Sequence, residues 1–249
     1  MRRRVLVAGI AVGFAAMASG CGTTSSSSGG TSSQDVAFYG GTILVTGQAG
    51  QSTLPLAKIE AIKNVAGVKT AFPTYRFDAK TGAVESAGIA TSDEIVASDP
   101  TEAAWSSLKT SYAQGHAIDA DSSGEVVLGS AIAQHLKKTI GDTVDLPISP
   151  SGGAASHSFK VIGVLDVTHT GPDRFAYINI TDGQMLLKDS IPAGQRDQVD
   201  VTTVATAIDV YAKSGTSVAD LDRIADQINK QVPGVKAIKP SELVAGVKP

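Results

Sequence analysis

The sequence predicts an α+β fold: a bipartite domain with a βαβ-type lobe that is discontinuous in sequence and a mainly β second lobe inserted into it. Two observations predict it. After Asp35, β-branched apolar runs alternate with segments whose apolar residues recur at helical spacing. In addition, Val65-Ala66-Gly67-Val68-Lys69 is echoed by Val232-Pro233-Gly234-Val235-Lys236, each where an amphipathic helix turns into a strand. A glycine that ends a helix before a strand can produce this echo by chance. As a true repeat, it places two strand–helix–strand units around a different middle segment. Lobe one then takes residues 36–98 and 200–243, lobe two takes 110–195, and 244–249 form a tail.

Taken in order, Thr42 to Thr46 is β-branched, apolar and bounded by glycines, which predicts a buried strand. The next helix has Pro55 in its first turn and Leu56, Ile59, Ile62 and Val65 on one face, and Gly67 ends it. Val68 to Phe77 and Ala83 to Ala90 read as two strands joined at Lys80-Thr81-Gly82. Thr101 to Leu108 suggests a short helix, and the polar loop Asp119 to Gly124 leads into a buried strand at Val126-Val127-Leu128. Ser130 is placed to cap a helix carrying Ile132 and Leu136, with Lys137 and Lys138 in its last turn and Gly141 closing it. Strands follow around Val144-Asp145-Leu146 and from Phe159 to Leu165, separated by the loop at Pro150-Ser151-Gly152-Gly153. The chain closes with a strand from Ala205 to Ala212 and a helix capped at Ser217, with Asp220 as capping-box partner and Leu221, Ile224 and Ile228 as its apolar stripe.

The amino terminus reads differently. Arg2, Arg3 and Arg4 precede an uncharged apolar run, Val5 to Gly20, that ends in Ala18-Ser19-Gly20-Cys21. Basic end, apolar centre and small residues at a cleavage point are the parts of a secretory signal. Because the small residues stop at a cysteine, the segment resembles a bacterial lipoprotein signal, which implies acylation of Cys21. Residues 1–20 are then a signal peptide and 21–35 a flexible tether, since Gly22 to Gln34 contains only Gly, Thr, Ser and Gln. The other reading is an uncleaved membrane helix from Val5 to Cys21, at the short limit for spanning a bilayer. Cleavage would remove three arginines and take the formal charge from -3 to -6.

Composition excludes several classes of function. Twenty-one basic against 24 acidic residues provide no electrostatic grip on nucleic acid, and 6 Phe, 5 Tyr and 1 Trp provide few stacking platforms. The single cysteine rules out an intrachain disulfide or a cysteine metal cluster. His116, His135, His157 and His169 lie on unrelated segments without metal-ligand spacing, and read as loop or surface residues. No G-x-S-x-G elbow occurs. Asp93-Glu94, Asp119 with Asp121, and Asp220 with Asp222 read as solvated or capping carboxylates. A calcium site at Asp119, Asp121 and Glu125 lacks the terminal glutamate of an EF-hand loop. Trp105 reads as a core anchor ahead of an exposed partner contact, and His169 to Arg174 as a polar turn suited to a contact surface. No catalytic residue, cofactor site or metal site is therefore expected.

The most specific signal lies in the middle. From Gly115 the chain runs through Val126-Val127-Leu128-Gly129-Ser130-Ala131-Ile132-Ala133, Ile140-Gly141-Asp142-Thr143-Val144, Phe159 to Leu165 and Ala176-Tyr177-Ile178. This succession resembles the periplasmic core domain of MacB-type ABC transporter permeases, and with Ile59 to Val68 and the final helix and strand the likeness covers about residues 36–243. The resemblance implies a two-lobed domain outside the membrane that relays conformational change or handles substrates. The sequence departs from that pattern in three ways. His116 stands where an arginine is common, a lipoprotein signal replaces the first membrane helix, and the sequence ends at Pro249 with no GxxxxGK[ST] motif. The expectation is a non-enzymatic outer module without channel or motor, membrane-bound through its lipid, with an ABC permease or another envelope protein as partner. The alternative is a stand-alone ligand-binding lipoprotein with an inter-lobe cleft.

Overall fold

The computed structural model describes residues 42–49, 51–86, 89–148 and 155–245. The signal segment, Cys21, the tether and the Pro150 to Gly153 loop lie outside the described residues. All the described residues fall in one compact unit.

The fold is α+β. In chain order its elements are β1 (Thr42–Gly47), β2 (Leu54–Pro55), α1 (Lys58–Lys63), β3 (Val68–Ser86), β4 (Ile89–Ala97), β5 (Tyr112–Gly115), β6 (Glu125–Leu128) and α2 (Ser130–Leu136). There follow β7 (Thr143–Ile148), β8 (Ala155–Leu165), β9 (Phe175–Ile178), α3 (Ile180–Ser190), β10 (Val204–Ala205), β11 (Ala207–Ala212), α4 (Val218–Gln231), β12 (Val235–Ile238) and α5 (Pro240–Ala245). One mixed sheet runs in the order β12-β1-β11-β3-β4-β9-β6-β8-β5, with β7 paired to β8. β1 lies antiparallel between β11 and β12, and β11 antiparallel between β1 and β3. The units β1–α1–β3 and β11–α4–β12 therefore interlock, each contributing a strand between the two strands of the other, in a split βαβ arrangement.

Alternation along the strands gives the sheet two unlike faces. On one face, Ile43, Val45, Ala71, Ile208 and Val210 pack with Ile62 of α1 and with Leu221, Ile224 and Ile228 of α4. A second apolar cluster continues this face, joining Tyr75, Ile95, Val126, Leu128 and Ala176 to Ile132 of α2 and Leu186 of α3. Helix α4 follows the sequence expectation: the Ser217 hydroxyl accepts from the Asp220 amide at 3.2 Å and donates to its carboxylate at 2.8 Å. Gly67 and Gly234 both take positive φ, +95° and +81°, where the helices turn into strands.

Local expectations fail where packing overrides them. Leu54–Pro55 pairs with Val204–Ala205 instead of opening the helix, which begins at Lys58. β3 does not turn at Lys80-Thr81-Gly82; it runs to Ser86 with a register irregularity between Ala79 and Val84. Residues 100–104 form a 3-10 turn, shorter than the expected helix. Gly129, and not Ser130, is the N-cap of α2. A Cβ at Gly129 would lie 2.1 Å from the Pro172 carbonyl oxygen, so the loop on that side demands glycine there. The same helix ends at Lys137 in the left-handed region, before Gly141. Helix α3 was not foreseen. Its Asn179 cap accepts from the Asp182 amide at 2.8 Å, but Thr181, Asp182 and Gly183 weaken its helical signal.

Candidate functional site

The sheet face away from the helices is polar and aromatic, and it carries the largest concentration of buried charge among the described residues. Its residues come from β1, β11, β3, β4 and β9, and residues 98–118, here termed the strap, lie over them. Between strap and sheet is a cavity of about 500 Å³. Register explains the composition of its floor. Ile95 pairs with Ala176 on the helix side, so the flanking pairs Glu94 with Phe175 and Val96 with Tyr177 must face the strap. Likewise Ile208 and Val210 point to the helices, and Asp209 and Tyr211 to the cavity.

Arg76 is the centre of the cluster. Its Nη1 donates to both Glu94 carboxylate oxygens at 3.3 Å and its Nη2 donates to Asp209 Oδ2 at 3.1 Å. Its guanidinium carbon stands 5.7 Å from the centre of the Phe175 ring, within range of a cation–π contact. Burial alone would lower the Arg76 pKa, but Asp209 and Glu94 outweigh it and hold the group more firmly charged than usual. Burial raises the Glu94 carboxyl against the opposing effect of Arg76.

The strap adds a further carboxyl. Glu102 is the only buried residue among 98–118, and the Tyr211 hydroxyl donates to its Oε1 at 2.7 Å. Burial, followed by the neighbouring Asp209 carboxylate, pushes Glu102 up to about 8, and its carboxyl hydrogen-bonds to Asp209. Two carboxyl groups can bond to each other only through a shared proton, so the pair carries one near neutral pH. Burial, then Glu102 and Asp209, also raises the Tyr211 phenol, and Tyr177 is raised by burial. Each of these charged residues taken alone resembles a solvated charge, and in the strap region the sequence offers only Trp105 as an alternative partner contact.

The residues singled out in the sequence fall elsewhere. His116 is exposed, its Nδ1 2.7 Å from the Ala117 oxygen, and His157 pairs with Asp189 at 3.1 Å. His135 Nδ1 lies 3.1 Å from Asp93, which also meets Arg174 at 2.7 Å and accepts from Thr81 at 2.6 Å. Asp93 is fully buried, so it is neither solvated nor part of an acidic surface pair with Glu94. This network ties β4, α2 and the 171–174 turn together. The turn is also folded inward: Asp173 is buried and accepts from the amides of Thr168 and His169 at 2.8 Å. Trp105 is 47% exposed, so the core reading of it is corrected. The Asp119 backbone oxygen accepts from Ser122, and no group of three His, Cys, Asp or Glu placed to hold a metal occurs among the described residues. No helix among them is long and apolar enough to cross a membrane.

Comparisons with known proteins concern the whole domain. The extracellular domain of the ABC-type transporter YknZ from Gram-positive bacteria is 13% identical, with a TM-score of 0.44, covering 79% of this chain and 99% of that one. The periplasmic region of MacB from Actinobacillus actinomycetemcomitans is 11% identical with a TM-score of 0.47, covering 83% and 92%. A domain of a putative permease protein from Porphyromonas gingivalis is 13% identical with a TM-score of 0.40, covering 80% and 89%. No curated protein matches. The family model described as the MacB-like periplasmic core domain matches residues 5–241, and the chain belongs to that family.

Proposed function

We propose that the protein is a lipid-anchored, extracytoplasmic and non-enzymatic module that acts through protein–protein contacts in or beside an ABC export or envelope system. The family match over residues 5–241 carries this reading. The small residues before Cys21 and the uncharged tether after it support the anchor. Support for a contact role comes from the far end of the sheet. There β5 is an edge strand exposed along its length, and Tyr112 and the neighbouring Val167 are 39% and 61% exposed. Such an edge offers unpaired backbone groups to another chain.

Labelled palmitate should enter the wild-type chain and not the Cys21→Ala variant; equal labelling of both would refute the anchor. Mild crosslinking in intact cells followed by detergent extraction should recover a permease or another envelope protein. If the chain is recovered alone, the contact role falls.

A further inference from the structure

We propose that the cavity under the strap is a binding site for a small organic cation, an ammonium or amidinium group on a compact apolar body, held between the carboxyl groups of Glu102 and Asp209. This goes beyond the anchoring and partner reading and does not depend on it. Glu102 is 6% and Asp209 4% exposed, and each has already used one oxygen: Glu102 Oε1 on the Tyr211 hydroxyl and Asp209 Oδ2 on Arg76. The remaining oxygens, Glu102 Oε2 and Asp209 Oδ1, are buried, and apart from the proton the two carboxyls share no N–H or hydroxyl group of the described residues donates to them. Two buried carboxyl groups with one proton between them keep a negative charge that an N–H donor from a cation would compensate.

The surroundings select the charge and size of the ligand. Arg76 turns both terminal nitrogens to Glu94 and Asp209 and leaves only Nε without an acceptor, so a single cation faces three carboxyl groups. Lys109 of the strap points its ammonium at the Ala103 and Ala104 oxygens. Phe175, Tyr177 and Tyr211 supply ring surface, and about 500 Å³ suits a ligand of small-molecule size. The groups facing Glu102 are Asp209 and Tyr211 from β11, Arg76 from β3, Glu94 from β4, Tyr177 from β9, and Asp99 and Lys109 from the strap. Entry of the cation replaces the proton shared by the two carboxyls: one positive charge enters, one proton leaves to solvent, and both carboxylates end ionised.

The experiment titrates the full chain in detergent with benzylammonium, using benzyl alcohol as the neutral isostere. Benzylammonium should saturate one site and raise the melting temperature, and benzyl alcohol should do neither. Calorimetry at neutral pH in buffers of different ionisation enthalpy should show close to one proton released per cation bound, declining to none above about pH 9. The Glu102→Gln variant should bind benzylammonium at least about tenfold more weakly, since it loses a charge-assisted contact. Equal binding of the alcohol, no stabilisation by the amine, or binding without proton release in the wild-type chain would overturn the proposal, whatever the stability of the variant.

Discussion

The helix-covered and strap-covered faces of the sheet are built from the same strands, alternate residues going to each, yet they are held in different ways. Under the helices, the side chains are apolar and closely packed, and Ile43, Val45, Ile208 and Ile228 are wholly buried. That face is stabilised by area removed from water, roughly 25 cal/mol per Å², which is indifferent to pH. Under the strap, one arginine is shared by two carboxylates, and the strap contributes a single buried side chain, the Glu102 carboxyl, before it joins the sheet as β5. The helix face lends rigidity to the domain. The strap face lends it a chargeable interior, whose contribution to stability depends on pH.

Substitutions sharpen the contrast. The largest effect is expected from Leu221→Ala, which removes a 2% exposed side chain of α4 and should lower unfolding free energy by about 2–5 kcal/mol in urea titrations. The loss should be the same at pH 5 and pH 8, as befits an apolar contact. Arg76→Met comes next, at about 3 kcal/mol, the low end of the range for a buried pair because the guanidinium is 23% exposed. It leaves Asp209 and Glu94 without their cation, and burial already raises the Glu94 carboxyl, so the penalty should shrink as the pH falls and Glu94 protonates. A penalty unchanged by pH would erase the distinction between the faces.

Glu102→Gln is expected to have a small effect on stability at neutral pH, because a protonated carboxyl and an amide have similar shape and both can accept from Tyr211. Its signature is in pH dependence. The folded-state value of Glu102 is raised from 4.5 to about 8, so the folded chain holds a proton that the unfolded chain has released. The stabilisation is fully present below about pH 4.5 and is lost as pH rises to about 8. Wild-type stability should therefore decline across that window more steeply than that of Glu102→Gln, and parallel curves would remove the shared proton from the account. The smallest effect belongs to Trp105→Ala. At 47% exposure the ring contributes little to folding, so the melting temperature should be nearly unchanged, within about 0.5 kcal/mol in stability.

Much of the fold could be read from residues in isolation because it depends on local physics. β-branched runs marked β1, β6 and β8; the Ser217–Asp220 pair marked the start of α4; Gly67 and Gly234 marked its end and that of α1. What escaped was set by partners distant in the chain. Gly129 is glycine because of the Pro172 carbonyl, and Gly183 because α3 crosses β3 and β4 so closely that a Cβ would lie 2.4 Å from that of Ala97. The candidate site escaped for the same reason. Arg76, Glu94, Glu102 and Asp209 each look like ordinary solvated charges, and their spacing in sequence carries no motif.

The sequence by itself determined the alternation of strands and helices, a strand–helix–strand unit at each end, and the family succession from Gly115 to Ile178, because hydrophobic period, caps and turn glycines act within a few residues of one another; that the two units interlock came from strand pairing. Only the tertiary structure decided which face of each strand is apolar, that Glu102 lies beside Asp209, and that Trp105 faces solvent. Those outcomes follow from register between strands far apart in the chain, and a shift of one residue in that register would have turned Arg76 and Asp209 into the helix core.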